Sequence, residues 1–347
     1  MSQECDVSVV ICTYNRCELL PTAIKSALAQ ANEGVNYEVI VVDNNSTDRT
    51  RQVIEELMPQ RQGWLRYVFE GEQGLSHARN TGIAQAKAPV IAFTDDDVTV
   101  ARDWVRQIKK SLDKHSEVDY IGGKVIPQWP TTPPSWLTSD HWSPLALTDH
   151  GNKPFYINLK TPRWMVGANL AVRRIAFKQV GFFAPEVQRV KDNIGSSEDA
   201  DFQVRLWKTG RQGMYVPEMT VEARVQSERL TKAYHRQWYI GNGKYSAMMG
   251  VEEMLNKDGE IVDKAPDYTT LFGTPAFLYR ALLVAAKNWA TVAVRGPESL
   301  SFRHEARVRY LLGYINKRFQ ESSDKRGTYL GELVSFTKAM LDKKLSR

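Results

Sequence analysis

Cysteine is scarce in this sequence. The chain has only three, Cys5, Cys12 and Cys17, and all of them lie within its first 17 residues. This distribution excludes a framework of paired disulfides and is typical of reduced thiols in a cytosolic protein. No histidine stands near them in the sequence, so a zinc site built from Cys and His ligands is not expected either.

Long uncharged apolar runs are also missing. A membrane-spanning helix needs roughly 18 consecutive apolar residues, and the closest candidate, Leu271 to Val294, is interrupted by Arg280 and Lys287. This segment can lie on a membrane but is not expected to cross one. The first residues lack the basic-then-apolar order of a signal peptide. We therefore expect a cytoplasmic protein that can rest peripherally on the inner face of a membrane.

Excess positive charge is confined to one end of the chain. The net charge is +6, and residues 301–347 contain eleven Lys or Arg against five Asp or Glu, so the first 300 residues are neutral overall. A basic tail can attract phosphate-rich surfaces, although a solvated helix face is an equally good explanation. The tail lacks interleaved aromatic platforms and no nucleic-acid-binding module is recognisable, so a nucleic-acid partner is not expected.

The first hundred residues do contain short β-branched runs that alternate with amphipathic segments. Strands are predicted over 6–12, 37–43, 65–70 and 89–93, and helices over 18–30, 50–58 and 75–86. This alternation predicts an α/β fold, a mostly parallel Rossmann-like sheet flanked by helices. Ligands bind such sheets at the carboxyl ends of the strands, where Asp43 and Asp95 both fall.

The middle of the chain is less regular. A helix over 100–114 and a strand near 120–123 precede a loop at 127–162 that is rich in proline and tryptophan. A loop of this length is usually functional or mobile, and we expect it to lie over the sheet. A returning strand at 164–173 and a helix at 197–209 follow.

The last third of the chain has a helical pattern. It begins at about Arg224 and continues to the end, apart from a polar linker at 256–268. We therefore predict two domains. Residues 1–225 carry the sheet, and residues 226–347 form a helical C-terminal extension that can associate with a membrane.

Three consecutive carboxylates, Asp95, Asp96 and Asp97, directly follow the predicted strand at 89–93. Because they repel one another, a fold retains them where a positive charge offsets the cost. Mg²⁺ and Mn²⁺ prefer oxygen ligands and often share their shells with substrate phosphates. The run therefore suggests a site for metal-bound phosphate, with a solvated acidic turn as the alternative.

Three further groups of residues can carry chemistry. Glu198 and Asp199 open a predicted helix, where they either complement the helix dipole or supply a general base. Arg79, in the glycine-containing stretch 73–82, can pair with phosphate. Asp43 can accept hydrogen bonds from a nucleoside, or it can cap the helix that follows.

Taken together, these stretches resemble family 2 glycosyltransferases of the GT-A fold. The likeness covers roughly Cys5 to Tyr239, and it rests on stretches in the family's order at 7–16, 39–47, 74–82, 92–98, 167–173 and 198–206. The resemblance implies an inverting, hexosyltransferase-type enzyme. Such an enzyme moves a sugar from a nucleoside-diphosphate sugar to a hydroxyl of a saccharide or lipid-linked saccharide. A place in cell-surface polysaccharide or glycolipid biosynthesis is also implied.

The resemblance also assigns roles to individual residues. The donor-binding residues are Thr13, Tyr14, Asn15, Asp43, Arg79, Asp95 and Asp96. The ligands of a divalent metal, Mn²⁺ or Mg²⁺, are Asp97 and Asp96. The acceptor side is formed by Gly167, Ala168 and Asn169, and the catalytic residues are the base Asp199 and its supporting residue Glu198. The base would activate the acceptor oxygen for a single displacement while the metal offsets charge on the departing diphosphate.

One position departs from the family pattern. Many relatives place a His shortly after the base helix, where it can complete the metal shell. By the flanking pattern of 221–238, the matching residue is Ala223. Either diphosphate and water fill the shell, or the metal binds more loosely.

Two other hypotheses stay open. The departure at Ala223 is compatible with a catalytically impaired protein that binds sugar nucleotides without turnover. Residues 95–99 also fit the Asp-x-Asp-x-Thr nucleophile loop of haloacid-dehalogenase-like phosphotransferases, in which Asp95 would be phosphorylated. Against this, three predicted strands precede the loop, and no later acidic pair for magnesium is evident. The donor nucleotide, the sugar, the acceptor and the linkage stay undetermined by the sequence.

Overall fold

The computed structural model describes residues 5–31, 34–61, 64–188, 197–262 and 267–326. These residues form two compact units. The first comprises the described parts of Met1–Thr132, Leu145–Asn193 and Glu198–Ser227, and the second those of Pro133–Pro144, Ile194–Ser197 and Glu228–Arg347. Whether residues 1–225 and 226–347 are separate domains stays a prediction. The end of the basic tail, 327–347, lies outside the described residues.

The first unit contains nine strands and six helices among the described residues. The strands are β1 Val7–Thr13, β2 Tyr37–Asp43, β3 Leu65–Phe69, β4 Val90–Asp95, β5 Val98–Val100, β6 Tyr120–Gln128, β7 Phe155–Ile157, β8 Leu170–Arg173 and β9 Gly213–Arg224. The helices are α1 Leu20–Leu28, α2 Thr50–Leu57, α3 Leu75–Gln85, α4 Trp104–Lys114, α5 Arg174–Val180 and α6 Glu198–Lys208.

The strands form one mixed sheet in the order β3-β2-β1-β4-β8-β6-β9-β5, with β7 paired to β9. Strands β3, β2, β1 and β4 are parallel, whereas β8 is antiparallel to both β4 and β6. In this register Thr13 lies opposite Asp43, and Cys12 lies opposite Asp95. The prediction that Asp43 and Asp95 share one edge of the sheet is therefore confirmed.

The parallel part of the sheet is covered on both faces, as its uninterrupted apolar strands predict. All seven residues of β2 are buried, and so are the first five of the six residues of β4. Helix α3 packs against β1 and β2 at Gly82. A Cβ atom at this position would lie 2.5 Å from Cγ1 of Val10, so the close packing of helix on sheet requires glycine.

Several elements differ from the sequence prediction. The short strand β5 follows the acidic run, and the helix predicted from residue 100 begins only at Trp104. The predicted strand at 164–173 is confined to Leu170–Arg173, after a short 3₁₀ turn at Gly167–Asn169. Strand β9 was not predicted, because Pro217 interrupts it and its pairing with β6, β5 and β7 is long-range.

The second unit is helical, as predicted for the C-terminal part of the chain. It contains α7 Lys232–Met249, α8 Val251–Met254, α9 Ala276–Arg295 and α10 Glu298–Arg326, with a small hairpin of β10 Thr270–Leu271 and β11 Thr274–Pro275. A buried cluster of Ala247, Leu278, Ala285, Val308, Leu311 and Tyr314 joins α7, α9 and α10. Within the described ranges, none of the helices combines the length and apolar character that a bilayer span requires.

Candidate active site

The loops after β1 and β2 are tied together by hydrogen bonds. The backbone N–H of Asn15 donates to Oγ of Ser46 at 2.9 Å, and Oδ1 of Asn15 accepts from the N–H of Thr47 at 2.7 Å. Asn15 and Asn45 both adopt left-handed backbone conformations, which asparagine tolerates better than most residues. The two loops therefore form one surface at the carboxyl edge of the sheet, with Tyr14 half-buried in it.

Asp43 is buried at the end of β2. Its Oδ1 accepts from the N–H of Ser46 at 3.0 Å, and its Oδ2 accepts from the hydroxyl of Tyr67 at 3.1 Å. Burial, together with the charge of Asp43, raises the pKa of Tyr67 to about 12, so the tyrosine stays a donor. The residue that bonds the first N–H of α2 is Asp48 and not Asp43. This argues against Asp43 as a helix cap.

The acidic run lies beside β1 and is held by three polar side chains. Oγ1 of Thr13 donates to Oδ2 of Asp96 at 2.8 Å. Nη1 of Arg16 lies 3.0 Å from Oδ2 of Asp97 and 4.0 Å from Oδ1 of Asp96. Nε2 of Gln226 also donates to Oδ2 of Asp97, at 3.3 Å. The carboxylates are thus oriented by the surrounding protein.

Negative charge is concentrated in this run. Burial, and then the charge of Asp97, raise the pKa of Asp96 to about 7. Arg16 is the counter-charge: burial alone would lower its pKa, but the fields of the three aspartates raise it. Sequence reasoning gave neither Arg16 nor Gln226 a role. Arg16 directly follows the Thr13–Asn15 stretch, and this position could have identified it as a site residue. No local sequence feature identifies Gln226.

A divalent metal fits this donor set as a site with few protein ligands. A single cationic nitrogen of Arg16 already lies within reach of both Asp96 and Asp97, so these two carboxylates can face one cation. Among the residues that the structure describes, no cluster of three or more His, Cys, Asp or Glu side chains is arranged to hold a metal. Ala223 lies opposite Val98 in the β5–β9 pair and offers no ligand atom. Phosphate oxygens and water would have to complete the shell.

Asp199 lies in the first turn of α6 and is half-buried. Its Oδ2 accepts from the N–H of Gly167 at 3.0 Å, and its Oδ1 accepts from the N–H of Ala200 at 2.9 Å. Burial, followed by the charge of Glu198, raises the pKa of Asp199 to about 6. A carboxylate with this pKa is ionised at neutral pH and is more basic than an ordinary aspartate.

Arg79 is buried and paired with Glu198. Its Nη1 lies 2.7 Å from Oε1 of Glu198, and its guanidinium stacks on the ring of Phe183. Burial alone would lower the pKa of Arg79, yet nearby negative charges raise it. In decreasing order, these charges belong to Glu198, Asp95 and Asp199. The arginine therefore lies against the start of α6, where the charge of Asp95 at the end of β4 also acts on it, and its role as a phosphate ligand stays a prediction.

Gly167, Ala168 and Asn169 are buried. A Cβ atom on Gly167 would lie 2.3 Å from Nη2 of Arg79, so glycine lets the turn pack on the guanidinium. Nδ2 of Asn169 donates to the carbonyls of Lys124 and Met219, and its Oδ1 accepts from Nε1 of Trp104. The backbone N–H of Gly167 links this group to Asp199, and the side chain of Asn169 bonds to the protein itself. Their place on the acceptor side stays a prediction.

Comparison with known proteins identifies the family. Residues 8–180 match the sequence model of "Glycosyl transferase family 2". The chain belongs to glycosyltransferase family 2. It is 26% identical over 212 residues to the glucosyl-dolichyl phosphate glucuronosyltransferase of Haloferax volcanii, a match that covers 60% of this chain and 66% of that protein. It is also 27% identical over 230 residues to the succinoglycan biosynthesis protein ExoM of Rhizobium meliloti, covering 66% of this chain and 70% of ExoM.

Solved structures of glycosyltransferases share the fold of this family 2 chain. TarS of S. aureus, residues 1–349, superposes with a TM-score of 0.50 at 17% identity, over 93% of this chain and 92% of that one. The mannosyltransferase PcManGT of Pyrobaculum calidifontis superposes with a TM-score of 0.58 at 18% identity, over 92% and 88%. At these identities the likeness concerns the fold alone, and the predicted GT-A fold with helices after it is confirmed.

Proposed function

We propose that the chain is an inverting glycosyltransferase, of the hexosyltransferase type, that moves a sugar from a nucleoside-diphosphate sugar to a hydroxyl acceptor. The observation that carries this proposal is the position of Arg79, which pairs with Glu198 at 2.7 Å and packs on Gly167, whose N–H donates to Asp199. The charge of Asp95, at the end of β4, also acts on Arg79. Asp95, at the donor edge of the sheet, and Asp199, the candidate base, thus both act on the same arginine. Transfer from a nucleotide sugar needs a donor site and a base close together, and this proximity supports the proposal.

The donor would bind at the carboxyl edge of the parallel strands. Thr13, Tyr14, Asn15 and Asp43 would contact the nucleoside, and Asp95 and Asp96 would lie towards the ribose and diphosphate. Two structural neighbours support a nucleotide donor, since TarS was solved with UDP and PcManGT with GDP-Man and Mn²⁺. The similarity of the fold, and not any shared side chain, is the basis for this comparison.

We propose Asp97 and Asp96 as the residues that would hold Mn²⁺ or Mg²⁺. When bound, such a metal supplies positive charge that stabilises the diphosphate as it leaves. Arg16 and Gln226 would keep the Asp97 carboxylate oriented. Thr13 would do the same for Asp96.

Asp199 would act as the general base. The N–H of Gly167 orients its carboxylate, and burial, followed by the like charge of Glu198, raises its pKa. Asp199 would accept the proton of the acceptor hydroxyl as the oxygen attacks the anomeric carbon opposite the diphosphate. A single displacement of this kind inverts the configuration of the sugar.

The acceptor is proposed to be a saccharide or lipid-linked saccharide in cell-surface polysaccharide or glycolipid biosynthesis. The names of two relatives support this class, since one acts on glucosyl-dolichyl phosphate and the other serves succinoglycan biosynthesis. A cytosolic location agrees with the three free cysteines. The specific sugar and linkage would depend on the loops over the sheet.

The decisive experiment combines a ligand screen with one substitution. Thermal-shift measurements with UDP, GDP and their sugars, with and without Mn²⁺, should identify the donor. Asp199→Asn should then lower transfer by about 10²–10⁴-fold while leaving nucleotide affinity unchanged. Binding without turnover in the wild-type protein would favour a sugar-nucleotide-binding protein, and a trapped phosphoryl group on Asp95 would favour a phosphotransferase.

A further inference from the structure

Helix α9, Ala276–Arg295, has a buried side and an outer side. On the buried side, Leu278 and Ala285 belong to the core cluster of the second unit, and Ala281, Leu282 and Trp289 pack against it. This side accounts for the attachment of the helix to α7 and α10. The opposite side is not needed for that packing.

The outer side of α9 nevertheless exposes large apolar side chains. Leu283 is 71% exposed, Val284 is 52% exposed and Val294 is 78% exposed, and Phe277 is exposed as well. Together with Arg280, Lys287 and Arg295 these residues recur at helical spacing along one stripe. A soluble protein exposes single apolar residues routinely, but a helix that is apolar on both sides indicates a contact surface.

The charges on this stripe are all of one sign. Arg280, Lys287 and Arg295 are exposed, and α9 contains no Asp or Glu. A second copy of the chain docked on the same stripe would bring these cations together, which disfavours a self-interface. A bilayer that contains anionic lipids can accept both the apolar side chains and the cations of this stripe.

We propose that the outer stripe of α9, formed by Phe277, Arg280, Leu283, Val284, Lys287, Val294 and Arg295, binds flat on an anionic lipid bilayer. The helix is about 30 Å long at ~1.5 Å per residue, so it offers an extended contact. The apolar side chains would enter the headgroup boundary, while the basic side chains extend along it to the lipid phosphates. This inference concerns a surface outside the proposed active site and does not depend on the proposed reaction.

The test uses the full chain and two kinds of vesicle, one of phosphatidylcholine alone and one that also contains phosphatidylglycerol. In flotation assays the wild-type protein should bind the phosphatidylglycerol vesicles, with weaker binding to phosphatidylcholine and in high salt. Replacing Leu283, Val284 and Val294 by Gln should abolish binding, since glutamine preserves the helix but removes the apolar surface.

The basic residues are tested separately. Arg280→Gln, Lys287→Gln and Arg295→Gln together should weaken binding to anionic vesicles about a hundredfold, since each cation near the surface contributes roughly fivefold. The matched charge control replaces three exposed lysines elsewhere, Lys110, Lys153 and Lys178. The matched apolar control replaces Phe69, Ile175 and Leu312, which are also exposed. Both controls should bind vesicles almost as the wild type does.

Three results would overturn the inference. Equal affinity for both kinds of vesicle would remove the role of the cations. Vesicle binding that survives both stripe variants would place the contact elsewhere, for example on the basic tail, which every variant retains. Dissociation of a wild-type dimer by the Leu283/Val284/Val294 variant, measured by light scattering, would make the stripe a self-interface. Circular dichroism of the same preparations shows whether the variants are folded. Nucleoside-diphosphate affinity tests the proposed function independently.

Discussion

Arg79 and Glu198 form a buried ion pair, with Nη1 of the arginine 2.7 Å from Oε1 of the glutamate. The other carboxylate oxygen, Oε2 of Glu198, is buried and has no hydrogen-bond partner among the described residues. The pair joins α3 to the start of α6, directly before the proposed base. Its integrity should therefore affect both the stability of the first unit and the properties of Asp199.

Removing one member of this pair should be costly. Arg79→Met would leave the Glu198 carboxylate buried without a counter-charge, and we expect a loss of about 3–5 kcal/mol in unfolding free energy. Arg79→Met combined with Glu198→Gln removes both charges and should recover most of that loss. Urea unfolding of the wild type, Arg79→Met and the double variant measures both effects. Equal stability of Arg79→Met and the wild type would contradict a structural role for the pair.

The pH dependence of transfer should show the raised pKa of Asp199. A base must be ionised, so at saturating Mn²⁺, which would keep Asp96 ionised, kcat/KM should fall about tenfold per pH unit below the Asp199 pKa of about 6 and level off above it. Glu198→Gln removes the negative charge that raises this pKa, so the acidic limb should move to lower pH. Initial rates between pH 4.5 and 8 with the identified donor check this. An unshifted limb in Glu198→Gln would separate Glu198 from the base.

Metal-linked nucleotide binding should depend on Asp97. Asp97→Asn would weaken the hold on a divalent cation, so the gain in nucleoside-diphosphate affinity on adding Mn²⁺ should shrink about tenfold or more. Affinity without metal should change little. Isothermal titration with and without Mn²⁺ measures the difference, and the exposed Asp113→Asn serves as the control for a lost carboxylate. A full Mn²⁺ effect in Asp97→Asn would exclude Asp97 as a ligand.

Acid should destabilise the second unit through His235. This side chain is buried against Trp136 and Phe302, and burial lowers its pKa from 6.5 to about 4. Because the folded-state pKa lies below the unfolded value, the stabilisation is complete above pH 6.5 and is lost as the pH falls towards 4. The loss is ~3 kcal/mol at most.

Thermal unfolding followed between pH 7 and 4 checks this prediction. His235→Gln removes the titrating group, so its stability should vary less over the same range than that of the wild type. His141, which is buried in the same cluster and also has a lowered pKa, should retain a smaller dependence in that variant. A wild-type curve that is flat from pH 6.5 to 4 would contradict the assignment.

The sequence predicted the parallel half of the sheet well, because those strands are locally encoded. Strand β2 has the predicted bounds, since a buried apolar run ends at Asp43 and the asparagines after it break the strand. The carboxyl-edge position of Asp43 and Asp95 then follows from parallel pairing alone. Strand β9 illustrates the opposite case, because its position is fixed by partners that are distant in the sequence.

The candidate active site also has features that the local sequence predicts and features that depend on distant residues. The motif order predicted which acids lie at the strand ends, but not what their neighbours do. The ion pair of Arg79 with Glu198 connects residues 119 positions apart. The hydrogen bond that Gln226 donates to Asp97 connects residues 129 positions apart. The sequence suggested that Asn169 faces the acceptor, whereas its side-chain amide bonds to two backbone carbonyls and to a tryptophan. These ion pairs and hydrogen bonds depend on tertiary packing, which no local sequence pattern encodes.

The bonds between Asn15 and the Ser46–Thr47 turn have a consequence for ligand affinity. Two loops that would otherwise move separately are already ordered relative to each other when the chain folds. A nucleoside that touches either loop then loses less conformational entropy on binding, because the surface is preorganised. Asn15 can therefore matter for affinity even if its side chain never touches the ligand.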